Sequence, residues 1–86
     1  MLINIYGYIM DEAEGYKDYK ILADKLKTLG YDKYASMLVE MSNNEKKHCT
    51  NLLDMMQLEL SKDSKSSIDL HDFFDYFNDK IRKSIE

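Results

Sequence analysis

Proline is absent from all 86 residues, so no helix in this chain is obliged to break for want of a backbone donor. Punctuation is left to three glycines and one polar stretch. Leu29-Gly30-Tyr31-Asp32 is the strongest stop-and-start signal: Gly30 suits the left-handed residue that ends a helix, Tyr31 can fold back on Leu26, and Asp32 can cap the next helix. Ser61 to Ser67, reading SKDSKSS, is small, polar and aperiodic, and reads as a linker. The spacing therefore predicts three helices over about 2–29, 32–60 and 67–85. For the third, Ser66 and Asp69 form a capping box. Asp72 and Asp75 favour its positive end, while Lys80, Arg82 and Lys83 favour its negative end.

The apolar pattern says how these helices associate. Ile5, Ile9, Tyr16, Tyr19, Ala23 and Leu26 recur at four-three spacing in the first, and Tyr34, Leu38, Met41, Leu52 and Met55 in the second. Ala35, Val39, Cys49, Leu53 and Met56 widen the second stripe. The expectation is an all-α fold, a long antiparallel helical hairpin in a single domain over 1–86, with 61–67 linking it to the third helix. That helix carries Leu70, Phe73, Phe74, Phe77, Ile81 and Ile85, a face too apolar for water, so it must dock on the hairpin or on another chain.

Composition excludes several classes of function. With 16 acidic and 12 basic residues, a net charge of -4 and a pI near 5.1, the surface is wrong for nucleic acid or an anionic membrane. No window approaches the roughly 18 apolar residues of a membrane span, and Met1-Leu2-Ile3-Asn4 lacks the pattern of a signal peptide. The one cysteine, Cys49, rules out an intrachain disulfide framework and a Cys-x-x-Cys iron or zinc knuckle. A soluble, cytoplasmic protein is expected. Glycines scattered at 7, 15 and 30 form no phosphate loop, and no catalytic triad is visible.

The residues that interrupt the seams carry the chemistry. The first series passes through Glu12, the second through Glu45 and His48, and a carboxylate buried without a partner costs several kcal/mol. Their depths agree: 18 residues before Gly30, then 15 and 18 after it, or roughly 22–27 Å from the turn. An antiparallel hairpin brings the three together. Glu45 and His48, one i, i+3 step apart, share a helix face at a spacing suited to one metal ion. A dinuclear iron or manganese site in a helical bundle takes a Glu from each of two helices and a Glu-x-x-His pair from each of two others. This chain supplies half of that. Two copies about a twofold axis would supply all of it, two divalent ions (about +4) balancing four carboxylates (about -4). The expected assembly is thus a homodimer, or a multiple of dimers, forming a four-helix bundle.

Glu12, Tyr19, Ala23, Gly30, Ala35, Glu40 and Asn44-Glu45-Lys46-Lys47-His48 follow in an order that resembles the first helix pair of a rubrerythrin-type, ferritin-like di-iron protein, over about half of the chain. The resemblance implies oxidation of ferrous iron by dioxygen or peroxide, or reduction of peroxide. It also implies Glu12 as a terminal ligand, Glu45 as the bridging ligand, His48 as a ligand whose other nitrogen needs an acceptor, and Tyr19 as a hydrogen-bond partner of a ligand carboxylate. Iron is the expected metal, and manganese suits the same donors. The second helix pair and the Cys-x-x-Cys module of rubrerythrins are missing here. In architecture the chain is also similar to encapsulated ferritins, half-bundles that complete their sites between chains.

Plainer roles are assigned to the other candidates. Tyr16 packs, Cys49 is a small buried hydrophobe, Glu14, Glu40 and His71 face away from the seam, and Gly15 permits either close helix contact or a local bulge. The rival to a metal centre is a metal-free helical adaptor that binds a protein partner through its third helix.

Overall fold

The computed structural model describes residues 2–62 and 68–86. Three helices run over Leu2–Thr28 (α1), Asp32–Lys62 (α2) and Ile68–Ser84 (α3). α2 continues through Ser61 and Lys62, two residues into the expected linker; the remainder of that linker, with the capping residue Ser66, lies outside the described residues. No helix among the described residues is long and apolar enough to cross a membrane.

The turn between α1 and α2 is built as its sequence dictates. Gly30 adopts φ +87°, its N–H donates to the Lys27 carbonyl at 3.0 Å, and the Tyr31 N–H reaches back to the Leu26 carbonyl at 2.9 Å. This paired arrangement satisfies carbonyls that the end of α1 would otherwise leave open. α2 starts at Asp32 as expected, but its cap lies one residue earlier than expected. The Tyr31 carbonyl accepts from Ala35 N–H at 2.9 Å, which makes Tyr31 the capping residue and puts Asp32 in the first turn, where its charge meets the positive helix end.

Two small side chains fix the register of the hairpin. Ser42 Oγ donates to the Tyr16 carbonyl at 2.9 Å, and Cys49 Sγ to the Ile9 carbonyl at 3.7 Å. Both pairs share one offset along the antiparallel helices. Larger side chains at 42 and 49 would push the backbones apart. Ile9, Cys49, Leu53 and Met56 are fully buried around the second contact.

The buried stripe of α2 is Ala35, Ser42, Cys49, Leu53, Met56 and Leu60, rotated from the expected series. Tyr34, Met41 and Met55 are 58%, 43% and 45% exposed. Glu45 and His48 belong to that displaced series, so they flank the contact between α1 and α2 rather than occupying it. The physical reason is the small pair Ser42 and Cys49: close approach is possible only where side chains are short, and that chooses the packing face.

α3 docks on its own hairpin. Phe74, Phe77 and Ile85 join Ile9, Leu53, Met56 and Leu60 in one cluster, with Ile81 packed against it. Tyr6 of α1 meets Phe73 and Phe77 edge to face at 5.1 and 4.6 Å, and Arg82 donates to Asp54 of α2 at 2.7 Å. Tyr6 lies about 120° around α1 from Glu12, and Asp54 about 120° around α2 from His48. α3 therefore closes one long flank of the hairpin and leaves the other, with the ionisable residues, uncovered.

Candidate metal centre

Glu12, Glu45 and His48 come from mid-α1 and mid-α2 and each offers a donor atom within 4.8 Å of the others. The register explains the meeting. Ser42 and Cys49 pin α2 against α1 on either side of Glu45 and His48, so Glu45 falls opposite Gly15 and His48 opposite Glu12. The depth match read from the sequence is realised, but at the edge of the α1–α2 contact. The side chains of Glu12 and His48 are 29% and 57% exposed.

The electrostatics of the cluster are unbalanced. Oε2 of Glu12 is sealed from solvent and has no hydrogen-bond partner, although His48 Nδ1 stands 3.4 Å from it in ion-pair range. The Glu45 carboxyl is pushed above its ordinary value, first by a hydrogen bond shared with Glu12, then by desolvation and by the like charge of Glu12; His48 partly opposes the rise. Two carboxylates that favour a shared proton also favour a shared cation. Bonds of about 2.1 Å to one ion place neighbouring donors roughly 3.0–3.5 Å apart. The 3.4 Å between Nδ1 and Oε2 suits two ligands of one ion better than it suits a hydrogen bond.

Residues 8–84 match the rubrerythrin family model. The chain belongs to the rubrerythrin family. No curated protein and no solved structure matches it. Membership joins two independent observations, a ferritin-like di-iron family and a cluster of two carboxylates and one imidazole in the middle of its helix pair. The oxygen and nitrogen donor set and the orphaned Glu12 oxygen fit iron in chemical type.

Around this rubrerythrin-family cluster the remaining candidates take clear places. Tyr19 is half-buried on the same side of α1 as Glu12, and among the described residues no hydrogen bond joins it to either carboxylate. Tyr16 is buried in the hairpin, its ring approached by Lys20 and Lys46 at 5.6 Å each, a packing role. Glu14 and Glu40 are exposed, while His71 is half-buried rather than solvated. Cys49 is free and buried, and burial, then the charge of Glu12, pushes its thiol up, with Arg82 opposing. A neutral thiol donating to a carbonyl is no nucleophile. The feature that sequence reasoning left open is Gly15. A Cβ there would stand 3.1 Å from Glu45 Oε2, and its nearness to the cluster was legible only as a glycine three residues after Glu12.

Proposed function

We propose that two copies of this chain pack their open flanks together into a ferritin-like four-helix bundle whose centre holds a dinuclear iron site, and that the site oxidises ferrous iron with dioxygen or peroxide, or reduces peroxide. The observation that carries the reading is the convergence of Glu12, Glu45 and His48 on an uncovered face in a rubrerythrin-family chain. Bound there, iron supplies the one-electron exchange that such oxidation requires.

The chain's own residues would contribute in distinct ways. Glu12 and Glu45 from each copy bring the four negative charges that hold two divalent cations, and His48 brings a neutral donor that tempers the charge. The free Glu12 oxygen gives the carboxylates room to change how they bind as charge on the site changes. Tyr8, Leu22, Met41 and Met55, all exposed in the single chain, line the same open side as the cluster and would exclude bulk water on dimerisation. That apolar surround strengthens every charge interaction within it. Tyr19, on the same side of α1 as Glu12, would steady a ligand carboxylate once the copies pack. Manganese fits the same donors. The one cysteine, unpaired and buried, accords with a reducing, cytoplasmic setting in which ferrous iron persists.

The test is the rate of ferrous oxidation on mixing anaerobically loaded protein with dioxygen or peroxide, followed by absorbance and oxidant consumption. Wild type should exceed protein-free buffer, and Glu45→Ala and His48→Ala should fall to the buffer rate; equal rates for all three would remove the oxidoreductase reading. The rival adaptor reading is favoured by one observation, the exposed rings of Phe73 and Tyr76 on α3. It requires Glu45→Ala and His48→Ala to leave stability unchanged or raised, with no metal bound by wild type.

A further inference from the structure

Gly15 lies in the interior of α1, where glycine is the least favourable residue short of proline. No special backbone conformation calls for it, since Gly30 is the glycine with positive φ. What distinguishes it is its neighbour. A Cβ at 15 would meet Glu45 Oε2 at 3.1 Å and Glu45 Cδ and Cγ at 3.4 Å, closer than ordinary van der Waals contact for the first. Gly7, in the same helix, faces nothing within 4 Å. The clash at 15 is with the far end of a flexible side chain and not with the backbone of α2. An added methyl would move the carboxylate and leave the helices where Ser42 and Cys49 hold them.

We infer that Gly15 is a positioning residue: its missing side chain is a seat on α1 in which the Glu45 carboxylate lies, held beside Glu12 and His48. This rests on the metal reading above for its purpose, though not for its geometry. The seat lets a ligand from α2 lie against the backbone of α1, which shortens the reach between the two carboxylates and limits the directions in which Glu45 can swing.

The experiment compares wild type, Gly15→Ala, Gly7→Ala, Glu45→Asp and the Gly15→Ala/Glu45→Asp pair, with cobalt(II) as the probe metal. Gly15→Ala should raise or preserve the thermal midpoint of the metal-free protein, because alanine is the better helix former. It should nonetheless weaken cobalt binding by about tenfold or more and alter the visible cobalt bands. Gly7→Ala should bind as wild type. Glu45→Asp retracts the carboxylate by one methylene, so it should cost less affinity in the Gly15→Ala background than alone, a coupling that a merely structural role would not produce. Gly15→Ala with wild-type affinity and spectrum, or an equal loss in Gly7→Ala, would overturn the assignment. If wild type bound no cobalt, the metal reading would fail by itself. The seat would then be judged on the carbon-13 resonance of the Glu45 carboxyl in metal-free protein: displaced in Gly15→Ala alone it stands, unmoved it falls.

Discussion

The two long flanks of the hairpin are built from similar residues and meet opposite fates. On one, Tyr6 meets Phe73 and Phe77 edge to face, Phe74 and Ile85 are buried, and Asp54 is bonded to Arg82. On the other, Tyr8, Leu22, Met41 and Met55 are exposed, and Glu12, Glu45 and His48 gather with a carboxylate oxygen left without a partner. The chain closes the first flank by itself with its third helix. The second it leaves apolar and charged at once, a combination unfavourable in isolation and suited to a cation and a covering surface. One helix thus carries a face that its own chain covers and, one residue apart, a face that its own chain leaves open.

The largest expected effect tests whether the flanks are independent. Phe77→Ala should cost about 3 kcal/mol or more in denaturant unfolding and raise amide exchange along α3, while metal stoichiometry at the open flank is kept. Loss of metal binding along with α3 would show that the two sides form one unit. Next, Met41→Glu places a charge on the open face. Because Met41 is already exposed in the single chain, monomer stability should change by less than about 0.5 kcal/mol, yet the variant should sediment as a monomer and wild type as a dimer. A dimer that survives the charge would move the interface elsewhere.

A smaller effect addresses the register. Ser42→Ala removes one buried hydrogen bond to the Tyr16 carbonyl and should destabilise by about 1 kcal/mol, with a parallel loss of metal affinity if register sets the site. The smallest is a pH effect in chelated protein. The folded state holds the Glu45 proton more tightly than the unfolded state does. Between the two values the folded chain therefore binds more protons, and stability falls as pH rises. That contribution is fully present below the unfolded value and is lost as pH climbs through the raised folded one. Glu45→Gln should flatten this part of the stability profile, and a wild-type profile already flat there would contradict the cause assigned to the shift.

Much of this was legible in the chain because the signals are local. Gly30 needs its left-handed turn, the absence of proline leaves long helices uninterrupted, and Glu12, Glu45 and His48 match in distance from the turn. The face on which the helices meet was legible only in part: Ala35, Cys49, Leu53 and Met56 stood in the widened stripe, but not as its centre. Ser42 and Cys49 carry weak apolar signals, and the larger Tyr34, Met41 and Met55 dominated the periodicity, although these side chains stand exposed and do not set the α1–α2 contact. The first residue of α2 depended on a cap made by backbone rather than by the Asp32 side chain. The role of Gly15 required knowing which side chain crosses from α2, a contact that no spacing within α1 encodes.

The most direct measurement is metal content per chain on protein loaded anaerobically with ferrous iron, taken with the mass of the assembly on the same sample. About one tightly held iron per chain is expected, in a dimer or a multiple of dimers, and lost in Glu45→Ala. An intact helical protein that binds no iron, or a monomer that binds two irons per chain, would contradict it.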